Sequence, residues 1–88
     1  MSEKALRMLK HMRMQIFGQP APYVEVRGAA ISAGVDPGGS ERDALVDELL
    51  RAGYIRNYPS VSLTVHGLYR LTDRGIAAAD AAALAEDR

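Results

Sequence analysis

Arg56, Asn57, Tyr58, Ser60, Ser62, Thr64, His66 and Arg70 fall in one stretch that has no aspartate or glutamate from Tyr54 through Thr72. Guanidinium groups, amides and hydroxyls donate hydrogen bonds to phosphate oxygens, and without carboxylates the local charge stays positive. The chemistry this combination suits is contact with a polyanion. The same residues suit the solvated faces of a β-hairpin equally well. Arg27, farther forward, extends the positive set.

A second group of candidates lies in "DPGGSERD", residues 36–43. Asp-Pro-Gly-Gly is turn chemistry, and a helix beginning after it presents free backbone N–H groups that attract anions. Ser40 is the hydroxyl placed to cap that helix or to meet a phosphate. Arg42, in its first turn, has a side chain long enough to reach past the helix edge. The stretch lacks the Gly-Lys-Ser/Thr ending of a nucleotide-binding P-loop, so a turn and a cap are the simpler expectation. His11 and His66 sit in different elements, outside any metal-ligand spacing. Asp36, Asp43, Asp47 and Glu48 have no evident partner for acid-base work, and no nucleophile stands beside a base. The expectation is therefore a protein that is not an enzyme and carries no cofactor or metal. Met8, Met12 and Met14 read as core and interface filler.

These groups need a scaffold, and 88 residues supply one domain spanning 1–88 with a modest core. A hydrophobic content of 48% with 25% charged residues is too apolar for a disordered chain. There are no cysteines, so disulfides and thiolate metal sites are excluded, which fits a reducing cytoplasm. No apolar run approaches the ~20 residues of a bilayer crossing, and neither a membrane span nor a secretory signal is expected. The formal net charge is zero. Lys4, Arg7, Lys10, Arg13 and Arg27 nevertheless outnumber Glu3 and Glu25 in the first 27 residues, so the positive charge is concentrated at the front.

The apolar periodicity predicts a helix over 3–17, with Ser2 as its N-cap, Ala5, Leu9, Met12 and Ile16 on one face, and Lys4, Arg7, Lys10 and His11 opposite. That charged side is an ordinary solvated face or a weaker contact for phosphate, an acidic partner or a membrane surface. Residues 23–26 read as extended, and "VRGAAISAG" as a small-residue helix ending at Gly34. Ser40 with Asp43 spells a capping box for a third helix, whose apolar stripe is Leu45, Val46, Leu49 and Leu50, ending at Gly53. "YIRNY" and "LYRL" read as strands. The pattern Leu-Thr-x-x-Gly occurs twice, at 63–67 and 71–75. The first copy predicts a hairpin turn, with a short helix at Thr64 as the competing reading. The second puts Thr72 at the N-cap of a closing helix. That helix has only Ile76 and Leu84 as large apolar residues, so its shallow face needs another helix against it, from this chain or from a second copy.

"AAISAGVDP", "ALVDELLRAGYI" and "LYRLTDRGIAAAD", taken in order, resemble the winged helix-turn-helix superfamily, particularly bacterial regulators of the MarR and PadR kind and small bacterial or phage winged-helix proteins. The resemblance covers roughly residues 23–80. It implies an α+β fold: a helical bundle with a C-terminal β-hairpin wing and a closing helix. It also implies a DNA-binding regulator of transcription. The shallow closing helix and the small core add the expectation of a dimer paired through its terminal helices, and the lack of cysteines that of a cytoplasmic one. The helix from Ser40 would lie in the major groove and the wing would touch the backbone. Arg27, Ser40, Arg42, Arg51, Arg56, Asn57, Tyr58, His66 and Arg70 are then the candidate contacts to double-stranded DNA. Two features depart from the pattern. The connection "GVDPGGS" is about two residues longer than a compact helix-turn-helix turn. The third helix also turns Asp43, Asp47 and Glu48 outward, an acidic face that a polyanion repels. That face supports an alternative, a protein-protein interaction module with a basic partner.

Overall fold

Ser2 starts the first helix, α1 (Glu3–Ile16), by accepting a hydrogen bond from the Ala5 amide at 3.2 Å, as its position in the sequence predicts. In a computed structural model, residues 1–18, 23–57 and 68–86 are described. They form a small α+β domain of four helices and a three-stranded antiparallel sheet. The elements after α1 are β1 (Val24–Glu25), α2 (Val26–Ser32), α3 (Ser40–Arg51), β2 (Ile55–Asn57), β3 (Leu68–Leu71) and α4 (Asp73–Glu86).

Helix α1 is the hub. Ala5, Met8, Leu9 and Met12 are each fully buried, at the spacing that lines one helical face. That face packs against α2, α3, α4 and β1. The buried stripe is rotated slightly from the expected one, with Met8 inside, Ile16 only half-buried and Phe17 68% exposed. Leu49 of α3, Ile55 of β2, and Val24 and Val26 at the β1–α2 junction complete the innermost layer. Burying each such side chain stabilises the fold by about 1.5–3 kcal/mol before entropy is counted.

Helices α2 and α3 both stop at a glycine in the left-handed region, Gly34 at φ 76° and Gly53 at φ 77°. In each case the following amide turns back to a carbonyl in the last turn. Val35 donates to Ala30 at 2.9 Å and Tyr54 to Leu49 at 3.1 Å. Strand β2 therefore leaves the end of α3 in a fixed direction.

The sheet order is β1-β3-β2, so the return strand β3 is central and the front of the chain supplies one edge. Ile55 pairs with Leu71 and faces the core; the next pair, Arg56 with Arg70, faces out. On the β1 edge, the Gln15 side chain donates to the Glu25 carbonyl at 2.9 Å and accepts from the Glu25 amide at 2.7 Å, replacing a neighbouring strand. Strands β2 and β3 are thus antiparallel neighbours within a three-stranded sheet. The turn expected near 65–68, and the competing helix at Thr64, fall on the connection 58–67, which lies outside the described residues.

Two expectations are corrected. The capping box at Ser40 does not form: α3 begins with Ser40 already helical, and extended Gly39 is the N-cap, without a side-chain bond. Asp43, which would reach back in a capping box, instead accepts from Arg42. Asp36 organises the turn before it, accepting from the Gly38 amide through its side chain and from the Gly39 amide through its carbonyl. His11 is only partly on the solvated side of α1, bordering the groove between α1 and α4 with Arg7 and Lys10. It is half-buried above Gly28, where an added Cβ would stand 3.1 Å from the imidazole Nε2. The missing side chain at Gly28 is what admits the ring between α1 and α2.

Candidate nucleic-acid interface

The hydroxyl of Thr72 builds the junction on which the exposed arginines sit. It donates to the Gly53 carbonyl at 2.7 Å and accepts from the Gly75 amide at 3.0 Å, capping α4, while the Thr72 amide donates to the Tyr54 carbonyl at 3.0 Å. Gly75 is buried against that same peptide: a Cβ there would overlap the Tyr54 carbonyl oxygen and lie 3.1 Å from Leu71 Cδ1. Leu-Thr-x-x-Gly at 71–75 is therefore a single device. Leu71 enters the core, Thr72 bonds both ways, and the bare Gly75 lets the start of α4 close onto the α3–β2 corner.

Beside this corner runs a groove of about 590 Å³, bordered by Arg56 and Arg70 from the sheet and by Thr72, Asp73 and Arg74 from the start of α4. Arg56 and Arg70 are exposed cross-strand partners, and among the described residues neither has an ion pair. Arg74 lies over the ring of Tyr54, 5.8 Å from its centre, which holds its guanidinium on the groove wall. Arg74 was not among the sequence candidates. The signal for it was Thr72: an N-cap there puts residue 74 in the first turn of α4, next to the strand carrying Arg70.

The remaining candidates are scattered or already engaged. Arg27 is exposed on the first turn of α2 and does not border this groove. Asn57 is exposed on β2, paired with Tyr69. Ser40 is exposed at the start of α3. Arg42 is paired with Asp43 at 2.6 Å and Arg51 with Asp47 at 3.0 Å, all on α3. The helix's other acids meet the front of α1, with Lys4 at 3.0 Å from Glu41 and the Ser2 amide donating to Glu48 at 2.8 Å. Tyr58 and His66 lie outside the described residues.

Two further concavities flank the helices. One, of about 410 Å³, has Val26, Val46, Leu50 and Tyr69 between α3 and the sheet, with Arg42, Asp43 and Asp47 at its rim. The other, of about 480 Å³, lies between α1 and α4, with Met14, Phe17, Ala79 and Ala83 among Arg7, Lys10, Arg13 and Asp80. Among the described residues no group of three or more metal-ligating side chains converges. None of the described helices is long and apolar enough to cross a membrane. Comparison of the chain with protein-family models, with curated proteins and with solved structures finds no match.

Proposed function

We propose that this chain is a small winged-helix DNA-binding protein, a regulator of transcription, which meets double-stranded DNA through the outward face of the β2–β3 ribbon. The observation that carries this reading is the Arg56–Arg70 pair. Like charges directly opposite on adjacent strands destabilise a sheet, and among the described residues no carboxylate forms an ion pair with either arginine, Asp73 being the one acid that borders their groove. A phosphate between or beside the two guanidiniums would relieve the repulsion. Arg74 adds a third cation at the same groove. The resemblance carried by "ALVDELLRAGYI" and "LYRLTDRGIAAAD" supports the class, as does the succession of α2, a turn and α3 ahead of the ribbon. In the same reading two copies pair through the exposed parts of the terminal helices, where Met14, Phe17 and Leu84 are 69%, 68% and 67% exposed.

The test is titration of a labelled duplex at low salt with the parent chain, Arg56→Gln and Arg70→Gln. Each substitution is expected to weaken binding on the order of tenfold, the weight of one charged hydrogen bond. Absence of binding at low salt would sink this function. It would then favour the second reading, in which the apolar floor and Asp43–Asp47 rim of the α3 groove receive a basic segment of another protein.

A further inference from the structure

We infer that α3 selects no bases and that the described residues hold the duplex through its phosphates, so the ligand class is double-stranded DNA with no sequence preference set by α3. This rests on the DNA-binding reading above and concerns what kind of contact is made. A helix reads sequence when its exposed side chains donate to or accept from base edges in the major groove, and the approach takes it past two phosphate backbones. Only Arg42 and Arg51 on α3 carry guanidiniums, against Asp43 and Asp47 on its outward side, while Glu41 and Glu48, the latter expected to face outward, are engaged by Lys4 and the Ser2 amide. Both arginines are bound within the helix, to Asp43 and Asp47. Breaking such exposed pairs is cheap, on the order of 1 kcal/mol or less. The obstacle is what remains: each freed arginine leaves a carboxylate facing a backbone that carries one negative charge per ~1.7 Å. Ala44, exposed among them, offers no hydrogen bond.

Among the described residues, Arg56, Arg70 and Arg74 are cations without an ion pair that border one groove. They come from two strands and a helix start that share one corner, fixed by Thr72 and Gly75. Three guanidiniums and one carboxylate, Asp73, border this groove, leaving it net positive toward a phosphate backbone. Neutralising two or three phosphates predicts a slope of log K against log salt between about −1.8 and −2.7, or a roughly 12- to 40-fold loss of affinity from 50 to 200 mM salt.

The experiment uses the full chain and a set of 20-base-pair duplexes of equal composition and scrambled order, together with selection from a randomised duplex pool. Affinities that agree within tenfold across the set, a slope in the stated range, and a reduction of that slope by about one unit in Arg56→Gln and in Arg70→Gln are expected. Asp43→Asn and Asp47→Asn are expected to raise affinity for every duplex by the same factor. A consensus from the pool, or discrimination of tenfold or more between scrambled duplexes, that changes in either α3 variant would overturn the inference while leaving DNA binding intact. Failure to bind any duplex at low salt would instead remove the DNA-binding reading and this inference with it.

Discussion

Under the proposed DNA contact, substitutions at Arg56 and Arg70 are expected to act on stability and on binding with opposite signs. Removing one charge of a cross-strand like pair relieves repulsion worth about 0.2–1 kcal/mol. Arg70→Gln is therefore expected to raise the unfolding free energy by that amount in urea denaturation while weakening duplex binding. A drop in stability would mean that the Arg70 stem packs more than its charge repels. Gly75 gives the contrary case, a residue whose importance is wholly structural. Its Cβ position is filled by the Tyr54 peptide, so Gly75→Ala must push α4 off the corner, an overpacking expected to cost about 2–3 kcal/mol. Gly38→Ala is the control. The nearest atom to its added Cβ is Asp36 Oδ1 at 3.8 Å, an ordinary contact, and its stability is expected to stay within about 1 kcal/mol of the parent.

At the scale of elements, β1 is two residues long, and what gives it an edge is Gln15. Gln15→Ala removes both side-chain bonds to Glu25 and is expected to destabilise by about 1–2 kcal/mol, read from the same denaturation curves. The effect should fall most on protection of β1 amides in hydrogen exchange. Equal loss of protection across α4 would show that Gln15 supports the whole fold. The helices were legible in the sequence because their signals are local: Ser2 and Thr72 cap from their own positions, and Gly34 and Gly53 stop α2 and α3 by φ alone. Signals that depend on a partner were not legible. Glu25 caps α2 by accepting from the Gly28 amide at 2.9 Å, a role its side chain finds only because β1 runs directly into α2. The box at Ser40 had the right letters, but Asp36 and two glycines set the helix start one residue earlier. Much the same division holds for the candidate site. Arg56 and Arg70 followed from charge pattern and strand alternation. Arg74 needed the packing of α4, and the engagement of Arg42 and Arg51 needed side-chain geometry.

Across the whole molecule, the formal charge of zero conceals three surfaces of different character: an arginine corner at the sheet, an acidic α3, and an apolar α1–α4 groove with a basic rim. The proposed duplex contact and the proposed pairing of copies should therefore answer to salt in opposite directions. A stable isologous contact buries ~800 Å² on each partner, about a seventh of the 5816 Å² this chain exposes. In the proposed pairing, Met14 and Phe17, exposed at the α1–α4 groove, would supply the apolar centre such a contact needs. Around Met14 and Phe17, Arg7 is paired with Glu3 and Arg13 with Asp80, and with Lys10 these side chains keep one net positive formal charge, so a two-fold axis through this face brings like charges together. Raising the salt from 0.1 M to 1 M shortens the screening length from ~10 Å to ~3 Å and weakens that repulsion without weakening the apolar contact. Sedimentation equilibrium at about 100 µM is expected to show a larger weight-average mass in 0.5 M than in 0.05 M sodium chloride, and a monomer at both for Phe17→Glu. Over the same range duplex affinity should fall. A monomeric mass at both salt concentrations would remove the pairing and leave the arginine corner to act in a single copy. A mass that fell with salt would place the charged rim, and not the apolar centre, in control of association.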